Sequence, residues 1–179
     1  ASMSKLLTEL GASPVTLSFP EVYPALERGV ASCGVTSPTS ANTGKWPEVT
    51  THVLPISVSG SVQAHLVNLA WWNGLSEEAR KKLETHFAKL EDDLWAKAGT
   101  TNTEALDCTV GKECVGGIYT PYKLKLVDVA PADLERVKKI SSENILSEWA
   151  GRCEQTYKGC AEVWNASIGK ALDVSIPAQ

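Results

Sequence analysis

The chain is 179 residues long, 43% hydrophobic and 21% charged, with a formal net charge of −4. That length can bury a real core in one domain or two small lobes, and the scatter of Lys and Arg among Asp and Glu excludes the basic field a nucleic-acid partner requires. No apolar run approaches the ~20 residues that cross a bilayer, and the start Ala1-Ser2-Met3-Ser4-Lys5 lacks the charged beginning and apolar stretch of a signal peptide.

In chain order, Ser4 to Leu10 reads as the end of a helix with Leu6, Leu7 and Leu10 on one side and Gly11 as its stop. Pro14 to Ser18 alternates like a strand. Ser18 then caps a short helix through Glu21, Val22, Tyr23, Ala25 and Leu26 to Gly29, and Val30 to Val35 reads as the next strand. A strand, helix and strand within so few residues predict a parallel α/β unit with short connections. The polar segment Thr36 to Gly44 follows as a loop, placed where ligands sit in such units. Thr51 to Asn68 is a longer β-like stretch, with Val62, Ala64 and Leu66 alternating against Gln63, His65 and Val67.

Ser76 caps a helix that carries Glu77 and Glu78 in its first turn, where the helix dipole favours acidic side chains, and it runs to Ala98. Leu83, Phe87, Leu90 and Leu94 recur at spacings of three and four, which predicts one buried face. Tyr122 to Val129 alternates as a strand, Pro131-Ala132-Asp133 begins another helix, and a last helix covers Ala161 to Leu172. The tail after Asp173 carries no strong signal.

Five cysteines are present, four of them in two close pairs, Cys108 with Cys114 and Cys153 with Cys160. The intervals within these pairs are wider than the usual two to four residues of zinc ligands, which favours local disulfides and an oxidising compartment. Gly111 lets the first loop turn back. On one straight helix Cys153 and Cys160 would stand about 10.5 Å apart, beyond the roughly 7 Å a bridge can span, so a helix break near Tyr157-Lys158-Gly159 is required. Cys33, in the apolar run from Val30 to Val35, reads as a buried free thiol.

Catalytic signatures are scarce. His52, His65 and His86 have no metal-ligand spacing, and Gly111 and Gly116-Gly117 match neither a phosphate loop nor a dinucleotide fingerprint. Glu91-Asp92-Asp93 points in several directions on a helix and reads as a solvated face. No nucleophile and base can be paired, and the Asn165-Ala166-Ser167 sequon is too common a match to carry weight. Trp46, beside the polar loop, is a candidate ligand wall or an ordinary core tryptophan.

The run from Leu10-Gly11-Ala12-Ser13-Pro14-Val15 through Phe19-Pro20-Glu21-Val22-Tyr23-Pro24-Ala25-Leu26 resembles a strand and helix of the TRAP (tripartite ATP-independent periplasmic) transporter solute-binding family. The likeness continues through Lys45-Trp46-Pro47-Glu48-Val49, Val67-Asn68, Trp72 and Leu75 into the long helix, and both cysteine pairs look like those of one branch. The resemblance implies an α/β, two-lobed periplasmic binding protein fold of type II, incomplete here, with a long bridging helix. Residues 1–61 would form the first part of the second lobe, 62–101 the returning part of the first lobe with the long helix, and 102–179 the remainder of the second lobe.

It also implies a periplasmic subunit that captures a small organic carboxylate for TRAP membrane permease subunits, with no cofactor and no chemical step. Phe19 matches the family aromatic that packs on the ligand's body. Thr36, followed by Ser37, stands where many members place an asparagine that bonds the carboxylate, and Val35 replaces a common glutamate. Asn42 and Trp46 are placed as ligand neighbours only by their loop. In the family most of a first lobe, with a strand bearing a carboxylate-pairing arginine, precedes the matched segment. The sequence at hand lacks both, so the alternative expectation is a self-associating interaction module, a homo-oligomer that hides the apolar surface left over.

Overall fold

Helices account for most of the ordered backbone in the computed structural model, which describes residues 2–60, 63–115 and 117–176. In chain order they are α1 (Ser2–Glu9), α2 (Phe19–Glu27), α3 (Pro38–Thr43), α4 (Leu69–Asn73), α5 (Glu77–Thr109), α6 (Pro131–Ile140), α7 (Ser147–Thr156), α8 (Cys160–Ala166) and α9 (Ile168–Leu172). A 3-10 turn occupies Trp46–Glu48 and a π-helical segment, Ser141–Leu146, joins α6 to α7. The chain divides into two units, Ala1–Leu17 with Leu54–Ser59 and Val127–Gln179, and Ser18–Val53 with Gly60–Leu126.

The α/β expectation is met only in part. Among the described residues the sheet has two strands, β1 (His52–Val53) and β2 (Lys125–Leu126), paired in parallel with His52 opposite Lys125. The strands expected at 14–18 and 30–35 do not form, and Val15 and Val30 are 63% and 70% exposed. A strand needs a neighbour to take its N–H and C=O groups, and β propensity without that neighbour leaves an irregular, solvated segment. The alternating run expected over 51–68 likewise pairs only at β1, and Val62 lies outside the described residues, as does Gly116.

In the first unit, Leu6 anchors α1, and Lys5 on its surface donates to Glu148 of α7 at 2.5 Å. Glu148 also pairs with Arg152, and the Lys5 bond above all holds its carboxyl below the usual carboxylate range. The break required between the second cysteine pair is present: Tyr157 is extended, Gly159 is left-handed at φ 86°, and Cys153 and Cys160 are bridged with their Cα atoms 6.0 Å apart. The Glu154 carboxylate caps the new helix, accepting from the Gly159 and Ala161 N–H groups at 3.1 and 3.3 Å.

The helix expected over 161–172 is two helices. Trp164 donates its indole N–H to the Val174 carbonyl, and the Asn165 amide exchanges both bonds with the Ile176 backbone. These side chains pair with the backbone of the irregular segment that follows α9, and the helix breaks at Ser167.

In the second unit, Ser18 begins α2 as expected, with its N–H and hydroxyl both donating to Glu21. Segment 38–43, expected as loop, is helix α3: Ser37 is its N-cap, accepting from the Ser40 N–H at 3.1 Å, and Pro38 is its first residue. Asn68 caps α4 in the same way. The long helix does not stop at Ala98. It continues through Gly99 to Thr109, 33 residues and about 50 Å. Its expected buried face is open instead, with Phe87, Leu90 and Leu94 at 41–46% exposure.

Helix α5 is buried only at its last turns, around Ala105, Cys108 and Thr109. There Cys108 is bridged to Cys114 and packs with Tyr119, and α3 lies against the helix. Cys33 is free as expected but exposed rather than buried, because the segment around it never enters a sheet.

Candidate ligand-binding surface

Helix α2 starts at Phe19 because Ser18 and Glu21 form a capping box, and the Ser18 bonds lower the Glu21 carboxyl from its ordinary range. The first helical residue is thereby fixed. The Phe19 ring stacks on Trp46 with centroids 5.4 Å apart and planes 27° from parallel, an offset arrangement favoured by the ring quadrupoles. Phe19 is 48% exposed while Trp46 is only 6% exposed. Trp46 is thus a core residue, and it backs a second ring that is half exposed.

Two glycines make the stack possible. A Cβ on Gly34 would stand 2.7 Å from the Trp46 ring, and one on Gly44 would stand 2.8 Å from the Phe19 ring. The chain between these glycines, residues 35–43, carries Thr36, Ser37 and α3. Thr36 is exposed, and Ser37 both caps α3 and donates to the Ser40 hydroxyl at 3.0 Å. Phe19, Trp46 and the hydroxyl-bearing segment are therefore gathered within one unit.

Asn42 is placed differently. It is 1% exposed, and its amide nitrogen donates to the Thr109 hydroxyl at 3.1 Å and the Thr120 carbonyl at 2.8 Å, while its oxygen accepts from the Thr120 N–H at 2.9 Å. Both amide hydrogens are committed to the protein. Asn42 joins α3 to the end of α5 and to the segment beyond the Cys108–Cys114 loop.

Sequence reasoning passed over Glu48 and its two partners. Tyr23 and Tyr122 donate to opposite oxygens of the Glu48 carboxylate, each at 3.2 Å. Burial first, and the Glu48 acceptor next, push both phenols up from their ordinary value. Tyr23 lies four residues beyond Phe19 and therefore on the same helix face, a spacing visible in the sequence. Tyr122 has no such local signal.

The surface offers the half-exposed Phe19 ring and the exposed Thr36 hydroxyl, which suit the carbon body and an oxygen of a small polar solute. No group of three or more potential metal ligands is present among the described residues.

The family model described as "Bacterial extracellular solute-binding protein, family 7" matches residues 1–125. The chain belongs to that family. It is a TRAP-type solute-binding protein sequence, as the run from Leu10 to Leu26 implied. It is also similar to the C4-dicarboxylate-binding periplasmic protein DctP of Rhodobacter capsulatus, with 33% identity over 100 residues, 56% of this chain and 30% of that protein. The chain thus spans under a third of the relative it matches. No solved structure matches it. None of its helices within the described residues is long and apolar enough to cross a membrane.

Proposed function

We propose that this chain is part of the periplasmic solute-binding subunit of a TRAP transporter, a carrier of small organic carboxylates with no chemical step of its own. The observation that carries the site is the Phe19–Trp46 stack, open on the Phe19 side and joined through Gly34 and Gly44 to the hydroxyl segment. In this reading Phe19 packs on the carbon body, the exposed Thr36 hydroxyl donates to the carboxylate, Ser37, whose one hydroxyl hydrogen goes to Ser40, holds the start of α3, and Trp46 backs Phe19. Asn42, committed within the fold, holds α3 in place and does not reach the solute.

The Thr36 hydroxyl is neutral, and in this reading a cation from the first lobe meets the ligand's charge. That fits the two-lobed, type II architecture of the family, with 1–61 and 102–179 in the second lobe and 62–101 returning to the first. The name of the Rhodobacter relative makes C4 dicarboxylates the first ligands to test, and TRAP permease subunits are the partners that would receive them. A self-associating module is the competing reading, favoured by the apolar row Phe87, Leu90 and Leu94 that stands open on α5.

Titration calorimetry against C4 dicarboxylates, 2-oxo acids and their neutral amides is the test. Binding of an acid but not its amide is expected, with Phe19→Ala weakening it about tenfold, as loss of ~1.4 kcal/mol of ring contact would. Thr36→Val should weaken it less. Carboxylate binding that neither substitution changes would place the site elsewhere, and a chain that binds none of the panel but dimerises in light scattering would favour the competing reading.

A further inference from the structure

Three parts of the second unit meet at one carboxylate that the binding reading does not use. Tyr23 sits one turn beyond Phe19 on α2, and Glu48 sits two residues beyond Trp46 at the end of the 3-10 turn. The Tyr23 bond to Glu48 therefore ties together the two segments that supply the stacked rings. Tyr122 approaches the same carboxylate from the far side of the disulfide loop.

The Tyr122 segment is itself held tightly. Its N–H donates to the Cys108 carbonyl at 2.8 Å, the Leu124 N–H donates to the Thr109 carbonyl at 3.0 Å, and Thr120 is bonded on both backbone groups by Asn42. Cys108 is bridged to Cys114. A rigid strut thus runs from the buried end of α5 through Tyr122 to Glu48. At 3.2 Å each hydroxyl bond is longer than most bonds of its kind, so neither is strong alone. Their consequence lies in converging from two directions on the residue that closes the Trp46 turn.

We propose that Glu48, gripped by Tyr23 and Tyr122, is a positioning residue that fixes the spacing of the Phe19–Trp46 wall. The carboxylate acts through the segments that carry the two rings, not on the rings themselves. It sets the distance between their backbones, and so the angle at which the open ring face is presented. As a device for the ligand surface it rests on the binding reading above; as a device for the two rings it does not.

The test separates these two levels. In the full chain, Glu48→Gln, Glu48→Ala and the pair Tyr23→Phe with Tyr122→Phe are compared, each alone and with Trp46→Phe, so that Trp46 emission is isolated by difference. Loss of the grip should make Trp46 about threefold more open to acrylamide quenching, a local opening rather than unfolding. Glu48→Gln, which keeps shape and one acceptor, should fall between wild type and Glu48→Ala. Removing the carboxylate charge should also lower the pH at which the tyrosinate absorbance of Tyr23 and Tyr122 appears. Circular dichroism melts check that each variant is folded, and Tyr122→Phe alone serves if the pair is not.

Unchanged quenching together with unchanged tyrosinate titration would overturn the proposal, whatever the ligand data. If both respond while carboxylate affinity does not, Glu48 positions the rings and the binding reading of those rings fails. If all three respond, affinity should drop about fivefold in Glu48→Ala, the ratio that ~1 kcal/mol makes.

Discussion

The two ends of helix α5 contradict what their side chains suggest. The stretch from Leu83 to Trp95 has the apolar spacing of a core helix, yet Phe87, Leu90, Leu94 and Trp95 are 41%, 41%, 46% and 69% exposed. The stretch from Ala105 to Thr109 has one large apolar residue, the half-buried Leu106, yet Ala105 and Cys108 are fully buried. Small side chains let α3 approach the helix end closely, and the Asn42 amide, Thr109 hydroxyl and Cys108–Cys114 bridge then fasten it.

The first stretch is held by its own helical bonds and by exposed ion pairs such as Glu78–Lys82 at 2.7 Å and Lys89–Asp93 at 2.6 Å. Such pairs contribute only a few tenths of a kcal/mol each. Periodicity marks a face that can be covered. A partner decides whether it is.

That contrast is open to direct attack. Asn42→Ala should cost the most, about 2–4 kcal/mol in a denaturant or thermal melt, because it removes a buried amide's three hydrogen bonds, one to the buried Thr109 hydroxyl and two to the part-buried Thr120 backbone. A cost below about 1 kcal/mol would mean water reaches the end of α5 and that the two ends are less different than they look.

Gly99→Ala should act in the other direction, raising stability by about 0.5–1 kcal/mol. The glycine lies inside α5 with helical backbone and open space where a Cβ would go. A loss of stability there would show that the two ends of α5 are not one continuous helix in solution.

Leu90→Ala carries the smallest expectation, a change within about 0.5 kcal/mol, as for other exposed positions. If it costs as much as a core truncation, about 2 kcal/mol or more, the face is covered in solution and the comparison dissolves.

Much of the helical framework was legible from local signals. Ser18 with Glu21 announces α2, Ser76 with Glu77 and Glu78 announces α5, and Pro131 announces α6, because caps and dipoles act over one turn. The bend between Cys153 and Cys160 followed from the reach of a disulfide. The cap of α3 was equally present in Ser37-Pro38, but the richness in Ser, Thr and Asn that makes a good cap also makes a good loop. The expected sheet failed for the opposite reason, since the runs 14–18 and 30–35 have strand composition and no partner. At the candidate surface, Phe19 and Trp46 were both singled out, whereas the commitment of Asn42 and the grip on Glu48 were not.

What the sequence determined by itself is what short-range chemistry can enforce: where helices begin, which cysteines pair, and the family, carried by the run from Leu10 to Leu26. Which apolar face is buried, that Trp46 stacks on Phe19 against two glycines, and that Asn42 is bonded to Thr109 and Thr120 were decided only by tertiary structure. Each depends on segments a dozen or more residues apart, as Asn42 with Thr120 or Glu48 with Tyr122 are, and the energy of such a contact exists only once both segments have arrived.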